Sequence, residues 1–392
     1  MKIFVLVSRV PYPLEKGDKL RIFHQVKELS KKHTIHLCCL NTEKVHPAAQ
    51  KKLNKICAEL SIIPLKKINV YWNLILNLFS DNPFQVAYFF QRNASVKINK
   101  LINAYAPDHI YTQLIRTSEY VKNRHDIPKT IDYMDTFSKG MDRRAESASF
   151  FIKPIIRSEA RRLTRYENLI YEYFENHTII SKQDRDFIWH QQRKKIEIIP
   201  NGIDSGFFHP SDKIKEFDIL FTGNMSYIPN VDSVEYLIEE ILPLIKKELP
   251  GVKVLIAGAS PVKKIKNMAD ESVFVTGWME DIREAYWSSK VFVAPLRLGS
   301  GLQNKLLEAM ATQKPCVTSP LANNALGAIN NKSILIAENA TEFADKIIYL
   351  LKNKTEAKEI AVKGYNHVIK NFIWKSTTDK LEKLMLKSSV NN

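Results

Sequence analysis

A chain of 392 residues is long enough for two domains with separate cores, and 45% hydrophobic with 26% charged residues is the balance of a folded globular protein. Lys and Arg number 58 against 42 Asp and Glu, a formal charge of +16, which suits an anionic partner: a nucleotide, an anionic membrane surface or nucleic acid. Cys38, Cys39, Cys57 and Cys316 show no Cys-x-x-Cys spacing and no nearby His pair, which argues against redox and zinc patterns.

The apolar run at the start ends at Ser8 and Arg9, too short for a signal peptide. No window of about eighteen uninterrupted apolar residues calls for a spanning helix, so a cytoplasmic location is expected. Ile3 to Val7 is an all-apolar strand of the kind found inside a parallel sheet. A Pro- and Gly-containing loop over 9–18 leads into a helix with Leu20, Phe23, His24 and Leu29, and His33 to Leu40 is the next strand. Strand, helix, strand at this spacing predicts a doubly wound parallel sheet. Ligands bind such sheets at the carboxyl ends of strands, which sets Gly17 near a ligand.

Residues 66–92 crowd aromatic and aliphatic side chains behind Lys66 and Lys67. They fit either a buried helical hairpin or a lipid-facing surface. Residues 141–166 surround Phe150, Phe151 and Ile152 with Arg143, Arg144, Lys153, Arg157, Arg161, Arg162 and Arg165, which favours an anionic membrane surface over a merely solvated face. Asp108 to Thr112 and Lys129 to Asp135 read as strands, the second ending in a polar mouth with Asp132 and Asp135, which could instead cap the next helix. No Asp-x-Asp triplet follows an apolar strand, so no divalent metal is expected. His177 begins a strand that ends where Ser181 or Asp184 can cap a helix. Ile196 to Asp204 runs into an Asn-Gly turn and then Phe207 to Pro210, marking a domain boundary.

Beyond it, Asp218 to Thr222 is a strand entering a turn at Gly223 and Asn224, followed by strands over 252–258 and 273–279. Trp278 fits either a ligand contact or a core position. Lys290 to Pro295 is a buried strand, Gly299-Ser300-Gly301 breaks it, and Leu302 to about Ala311 continues as a helix. Leu302, Leu306, Ala309 and Met310 share the core face; Gly301, Lys305, Glu308 and Thr312 share another. The helix start suits a phosphate, Lys305 adds a cation and Glu308 an acceptor. On residues alone this is either a ligand face or a βα unit with an exposed Lys305–Glu308 pair. Ser333 to Ala337 is a last strand, and a helix from about Lys375 to Leu386 ends the chain.

The run Gly299-Ser-Gly-x-x-x-Lys305-x-x-Glu308-Ala-Met-Ala, with Pro315 and Val317 behind it, resembles the C-terminal donor motif of family-4 retaining glycosyltransferases. The resemblance covers the whole chain and is strongest over 195–320; residues 12–21 look like sugar transferases of the exosortase/PEP-CTERM-associated family. It implies the GT-B architecture: an α/β fold of two Rossmann-like domains facing a cleft. Residues 1–200 would bind the acceptor, 201–373 the nucleotide-sugar, and 374–392 would pack back on the first domain. The family carries two glutamates eight positions apart; Glu308 matches the second, which contacts ribose, while Ser300 stands in place of the first. Asp132 and Asp135 resemble the Asp-x-x-Asp of relatives. The turn at Gly223 and Asn224 lacks the Arg and Lys that hold the diphosphate in relatives. The implied donor site comprises Gly17, Gly223, Asn224, Gly277, Trp278, Met279, Ser300, Gly301, Leu302, Gln303, Lys305 and Glu308. Lys305, Arg297 and Asp135 are the candidates for catalysis, Lys305 ahead of Arg297 as the cation for the diphosphate. The implied reaction moves a sugar from a nucleoside diphosphate to a glycan or lipid-linked acceptor with retention, without metal or cofactor. A catalytically idle scaffold of the same fold is the alternative, and nothing beyond charge suggests nucleic acid.

Overall fold

Strand β1 (Lys2–Val7) is buried from Ile3 to Val7, which only a strand covered on both faces achieves. It sits in the middle of a sheet with β2 (Thr34–Asn41), β3 (Glu59–Pro64), β4 (His109–Gln113), β5 (Lys129–Asp132), β6 (Asn176–Ile179) and β7 (Glu197–Ile198). The computed structural model describes residues 1–146, 148–299 and 301–390. All neighbouring pairs are parallel, in the order β3-β2-β1-β4-β5-β6-β7. Met1–Pro200 and Trp374–Asn392 form one compact unit, Asn201–Ile373 the other.

In the first unit, helix Gly17–Leu29 covers one sheet face with Ile22, Val26 and Leu29. The C-terminal helix Trp374–Val390 joins the same cluster through Leu381 and Met385. His24 stacks on Trp374 at 5.0 Å with planes 3° apart, and Lys32 and His33 both bond Glu382. The opposite face is covered by helices Arg92–Tyr105 and Lys153–Tyr171, which bury Ile98, Ile102, Leu163 and Ile170. Cys38 and Cys39 are core residues of β2, and burial pushes the Cys38 thiol up to about 12.

The second unit repeats the plan with β8 (Phe217–Thr222), β9 (Val254–Ala257), β10 (Val273–Gly277), β11 (Ser289–Ala294), β12 (Cys316–Thr318) and β13 (Leu335–Ile336). Its order is β10-β9-β8-β11-β12-β13, again all parallel. The α/β class with two doubly wound parallel sheets is the one the sequence implied. In each sheet the order reverses once, between β1 and β4 and between β8 and β11. Loops leaving neighbouring strands in opposite directions open a crevice there, the usual place for ligands.

Three details differ from the sequence reading. The helix after β11 starts at Asn304, not Leu302, with Gln303 as its non-helical N-cap. Positive φ at Gly299 (103°) and Gly301 (76°) keeps the chain in a loop until then. Residues 66–92 are a hairpin buried on one arm only: helix Lys67–Leu76 buries only Val70, whereas Val86 and Phe89 of helix Phe84–Phe89 join the core. Finally, edge strand β3 has no continuous apolar run or strict alternation to announce it.

Candidate functional site

At the switch point of the second unit, the turn after β8 meets helix Asn304–Ala311. Gly223 is required by close approach. A Cβ there would lie 2.6 Å from Asn230 Nδ2 and 3.2 Å from Lys305 Nζ, so the missing side chain is what lets Lys305 reach over the turn. Lys305 Nζ donates a hydrogen bond to Asn230 Oδ1 and sits 4.4 Å from the Phe221 ring centroid. Asn230 Nδ2 in turn donates to the Asn224 carbonyl at 2.8 Å. Burial pushes the Lys305 amine down to about 7, against the pull of Glu308. No Lys305–Glu308 ion pair within 4 Å exists among the described residues, so the pair is not the surface contact its spacing allowed.

Glu308 is held from the other side. Tyr286, fully buried on helix Arg283–Trp287, donates its hydroxyl hydrogen to Glu308 Oε2 at 2.7 Å. The Tyr286 oxygen also lies 2.7 Å from Thr222 Oγ1, whose hydroxyl supplies the complementary hydrogen. Burial raises the Glu308 pKa, opposed by the Tyr286 bond and by Lys305. Both Lys305 and Glu308 keep a partly exposed edge. The result is a desolvated cation and a carboxylate acceptor, each pre-oriented by a neutral partner. Such a pair can bind a phosphate-bearing ligand with hydroxyls, because neither group has spent its charge on the other.

Gly223, Asn224, Lys305 and Glu308 are therefore gathered together, and Gly301 and Gln303 lie in the loop before the helix, joined by a Gln303 Nε2 bond to the Gly301 carbonyl at 3.3 Å. Leu302 and Met279 pack beside the core cluster that contains Leu306 and Met310. Gly277 ends β10 with φ 73° and accepts from the Gly258 amide at 3.0 Å. Trp278 is 66% exposed, which removes the core alternative. Ser300 lies outside the described residues. Arg297 is not gathered. Its guanidinium bonds Asp232 at 2.8 Å and Glu240 at 3.2 Å and covers the Tyr236 ring at 4.2 Å. Two carboxylates and a π face already answer its charge, so it lies outside the cluster around Lys305. Thr222 and Tyr286 were missed by the sequence reading. Thr222 could have been suspected as the residue before Gly223, but nothing in the order Arg-Glu-Ala-Tyr-Trp marks Tyr286.

Gly17 and Asp135 belong to the first unit. Gly17 is the first residue of its helix, with open space where a Cβ would be. Asp135 is exposed; crowding by protein atoms and the Asp184 carboxylate push its pKa up to about 7, against Arg116. Asp132 is not in the mouth. It is fully buried, paired with Arg21 at 2.5 and 3.2 Å, and accepts from Tyr111 and Thr178 hydroxyls at 3.0 Å each. Among the described residues no group of three or more His, Cys, Asp or Glu is placed to hold a metal ion.

The first unit also exposes large apolar side chains in two neighbouring segments. Tyr71 (64%), Trp72 (58%), Leu76 (66%) and Phe79 (91%) belong to one, Phe150 (84%), Phe151 (86%) and Ile155 (61%) to the other. Arg162 joins the segments by donating to the carbonyls of Asn77 (2.9 Å) and Leu78 (3.4 Å). No helix is long and apolar enough to cross a membrane among the described residues.

Residues 216–353 match the family model described as glycosyl transferases group 1. The chain is 25% identical to the 44.6 kDa protein in cps region of Klebsiella pneumoniae, over 95% of this chain and 96% of that one. Among solved structures it resembles sucrose-phosphate synthase from Thermosynechococcus elongatus, with a TM-score of 0.72 at 14% identity over the full length of both chains. HepE of Anabaena, solved in complex with UDP, gives 0.70 at 13% identity over 99% of this chain and 100% of that one. At such identities the structures establish the fold, GT-B. The family match itself spans residues 216–353, within the second unit.

Proposed function

We propose that the protein transfers a sugar from a nucleoside-diphosphate sugar to a glycan or lipid-linked acceptor, with retention of configuration, in cell-surface polysaccharide biosynthesis. The observation that carries this reading is the Lys305–Asn230 and Glu308–Tyr286–Thr222 constellation at the β8/β11 switch point. It offers a cation for a diphosphate and, one helical turn away, an acceptor for ribose hydroxyls. The UDP bound to HepE and the cps region of the Klebsiella relative support it. The exosortase-type features of residues 12–21 fit the same setting.

In this mechanism Lys305 exchanges Asn230 for a phosphate oxygen when the donor binds. Its charge then grows in value as the glycosidic bond lengthens and negative charge collects on the leaving diphosphate. The diphosphate takes the acceptor's proton on the face it departs from, which retains the anomeric configuration. Neither step requires a metal. The protein works at an anionic membrane surface, where Trp72, Phe79, Phe150 and Phe151 enter the interface beside Lys66, Lys67, Arg143 and Lys153.

Nucleoside diphosphate release is to be measured with UDP-, GDP-, ADP- and dTDP-sugars, with and without lipid-linked acceptor. Release by the protein with about 10²-fold slower release by Lys305→Ala is expected. Binding without release in any combination would favour the idle scaffold. Sedimentation with anionic vesicles should fall as salt shortens the Debye length to about 3 Å at 1 M. Equal sedimentation with neutral vesicles would count against charge in that contact.

A further inference from the structure

At the amino ends of β6 and β7 the first unit carries a hollow of about 600 Å³. Asn168 and Glu172 line it from the end of helix Lys153–Tyr171, and residues 189–193 line it from the segment between helix Lys182–Phe187 and β7. The crevice of the switch point opens at the carboxyl ends of the strands, so the length of the sheet separates the two. Trp189 stands in the hollow with 77% of its surface exposed, while its neighbours Ile188 and His190 are buried. The Tyr171 ring stacks with both His177, near the start of β6, and His190, each at 3.8 Å. The Gln192 amide donates to His190 Nδ1 at 3.1 Å, which leaves the proton on Nε2, donated to Glu172 Oε1 at 2.7 Å. A backbone held on both sides of Trp189 presents the indole in one place, so little freedom is lost when a ligand covers it.

The groups around the indole are free to bond. Among the described residues the Trp189 indole N–H and the Asn168 and Gln191 carboxamides have no hydrogen-bond partner. The Arg193 guanidinium donates only to the His190 carbonyl at 3.5 Å and has no carboxylate in ion-pair range among the described residues. The hollow is therefore one flat apolar face ringed by planar donors and acceptors, with one carboxylate and one guanidinium in balance. A pyranose ring matches that arrangement. Its C–H face lies against the electron-rich indole, and its neighbouring hydroxyls pair with carboxamide, carboxylate and guanidinium. A nucleic acid strand asks for clustered cations, and a bilayer asks for further apolar side chains beside the indole. The lining offers neither.

We propose that this hollow is a glycan-binding platform, separate from the crevice, that stacks one ring of a neutral saccharide chain on Trp189 while Asn168, Gln191, Glu172 and Arg193 bond its hydroxyls. It binds the chain without transforming it. In a sugar transferase such a platform holds an internal stretch of a long saccharide between turnovers and raises its effective concentration at the enzyme. That consequence rests on the transferase reading; the binding itself does not.

The test is affinity electrophoresis of the full chain in native gels containing dextran, pullulan, galactomannan or mixed-linkage β-glucan, with a plain gel as reference. At least one polysaccharide should slow the protein. Trp189→Ala should weaken that binding by about tenfold or more, as loss of an aromatic anchor does, and Trp189→Phe should keep most of it. Asn168→Ala should weaken it by about threefold to tenfold, the worth of one hydrogen bond. UDP in the gel should not release the protein. Mobility unchanged by all four polysaccharides, or equal slowing of the protein and Trp189→Ala, overturns the proposal. Loss of vesicle sedimentation by Trp189→Ala with no change in the gels also overturns it and makes Trp189 a membrane contact. Sugar release from UDP-sugars should be the same for the protein and Trp189→Ala. Should neither release UDP, the transferase reading fails while slowing in the gel still stands for the platform.

Discussion

At the scale of single residues, the donor reading turns on charges held ready by neutral partners. Glu308→Ala should weaken UDP binding by about 1.5–3 kcal/mol, the worth of a hydrogen bond to a charged group, and calorimetric titration measures it. Tyr286→Phe tests the partner. The Tyr286 bond favours the charged carboxylate, so its loss lets the Glu308 pKa climb further. The affinity deficit of Tyr286→Phe should therefore grow as pH falls. A deficit independent of pH would reduce Tyr286 to packing. Lys305 makes the opposite signature. In the empty site it titrates near 7; a bound diphosphate favours the ammonium and raises that value. UDP binding should thus take up a proton above about pH 7 and weaken as pH rises. Titrations in buffers of different ionisation enthalpy count the proton, and zero uptake at pH 8 would take Lys305 away from the phosphates.

Between elements, the Arg21–Asp132 pair ties helix Gly17–Leu29 to the end of β5 inside the core. Removing Arg21 alone leaves a buried carboxylate with only Tyr111, Thr178 and the Met134 amide to answer it. Arg21→Met should cost about 3–5 kcal/mol in urea unfolding, and adding Asp132→Leu should return part of it. That the pair is structural explains why an Asp-x-x-Asp string contributes one exposed carboxylate, Asp135, rather than two. The exposed aromatic segments make a second prediction at this scale. Phe150→Ser/Phe151→Ser should lower vesicle binding by a factor that salt does not change. Charge and apolar insertion act through different terms, and only the first is screened.

For the whole molecule, the decisive feature is that the chain returns to its first unit through the helix Trp374–Val390. Trp374, Leu381 and Met385 are buried there, each worth about 1.5–3 kcal/mol of apolar burial. Deleting 374–392 should destabilise the unit built on Met1–Pro200 and spare Asn201–Ile373. In scanning calorimetry the transition that UDP shifts belongs to the second unit and should keep its temperature; the other should fall or vanish. A fall in both would mean that the units do not unfold separately.

What the residues determined by themselves is the periodic part of the protein. Continuous apolar runs such as Ile3 to Val7 and Val291 to Ala294 must be covered on both faces, and helices spaced between them make doubly wound sheets. The glycines at 223, 299 and 301 were legible for the same reason, since positive φ or close approach excludes a Cβ. Lys305 and Glu308 were legible as a shared helical face with a known motif spacing. Only the tertiary structure decided their partners. Asn230 reaches Lys305 across 75 positions and Tyr286 reaches Glu308 across 22, and no periodicity encodes which polar groups meet when two loops fold against a helix. Arg297 shows the converse: adjacency in sequence to the glycine loop suggested a phosphate ligand, yet carboxylates from helix residues 232 and 240 lie nearer and neutralise it. Exposure was equally beyond reach for residues 66–92, because the same aromatic pattern serves a core and an interface. Which of the two it becomes depends on what packs above it, and here nothing among the described residues covers Trp72, Phe79, Phe150 or Phe151.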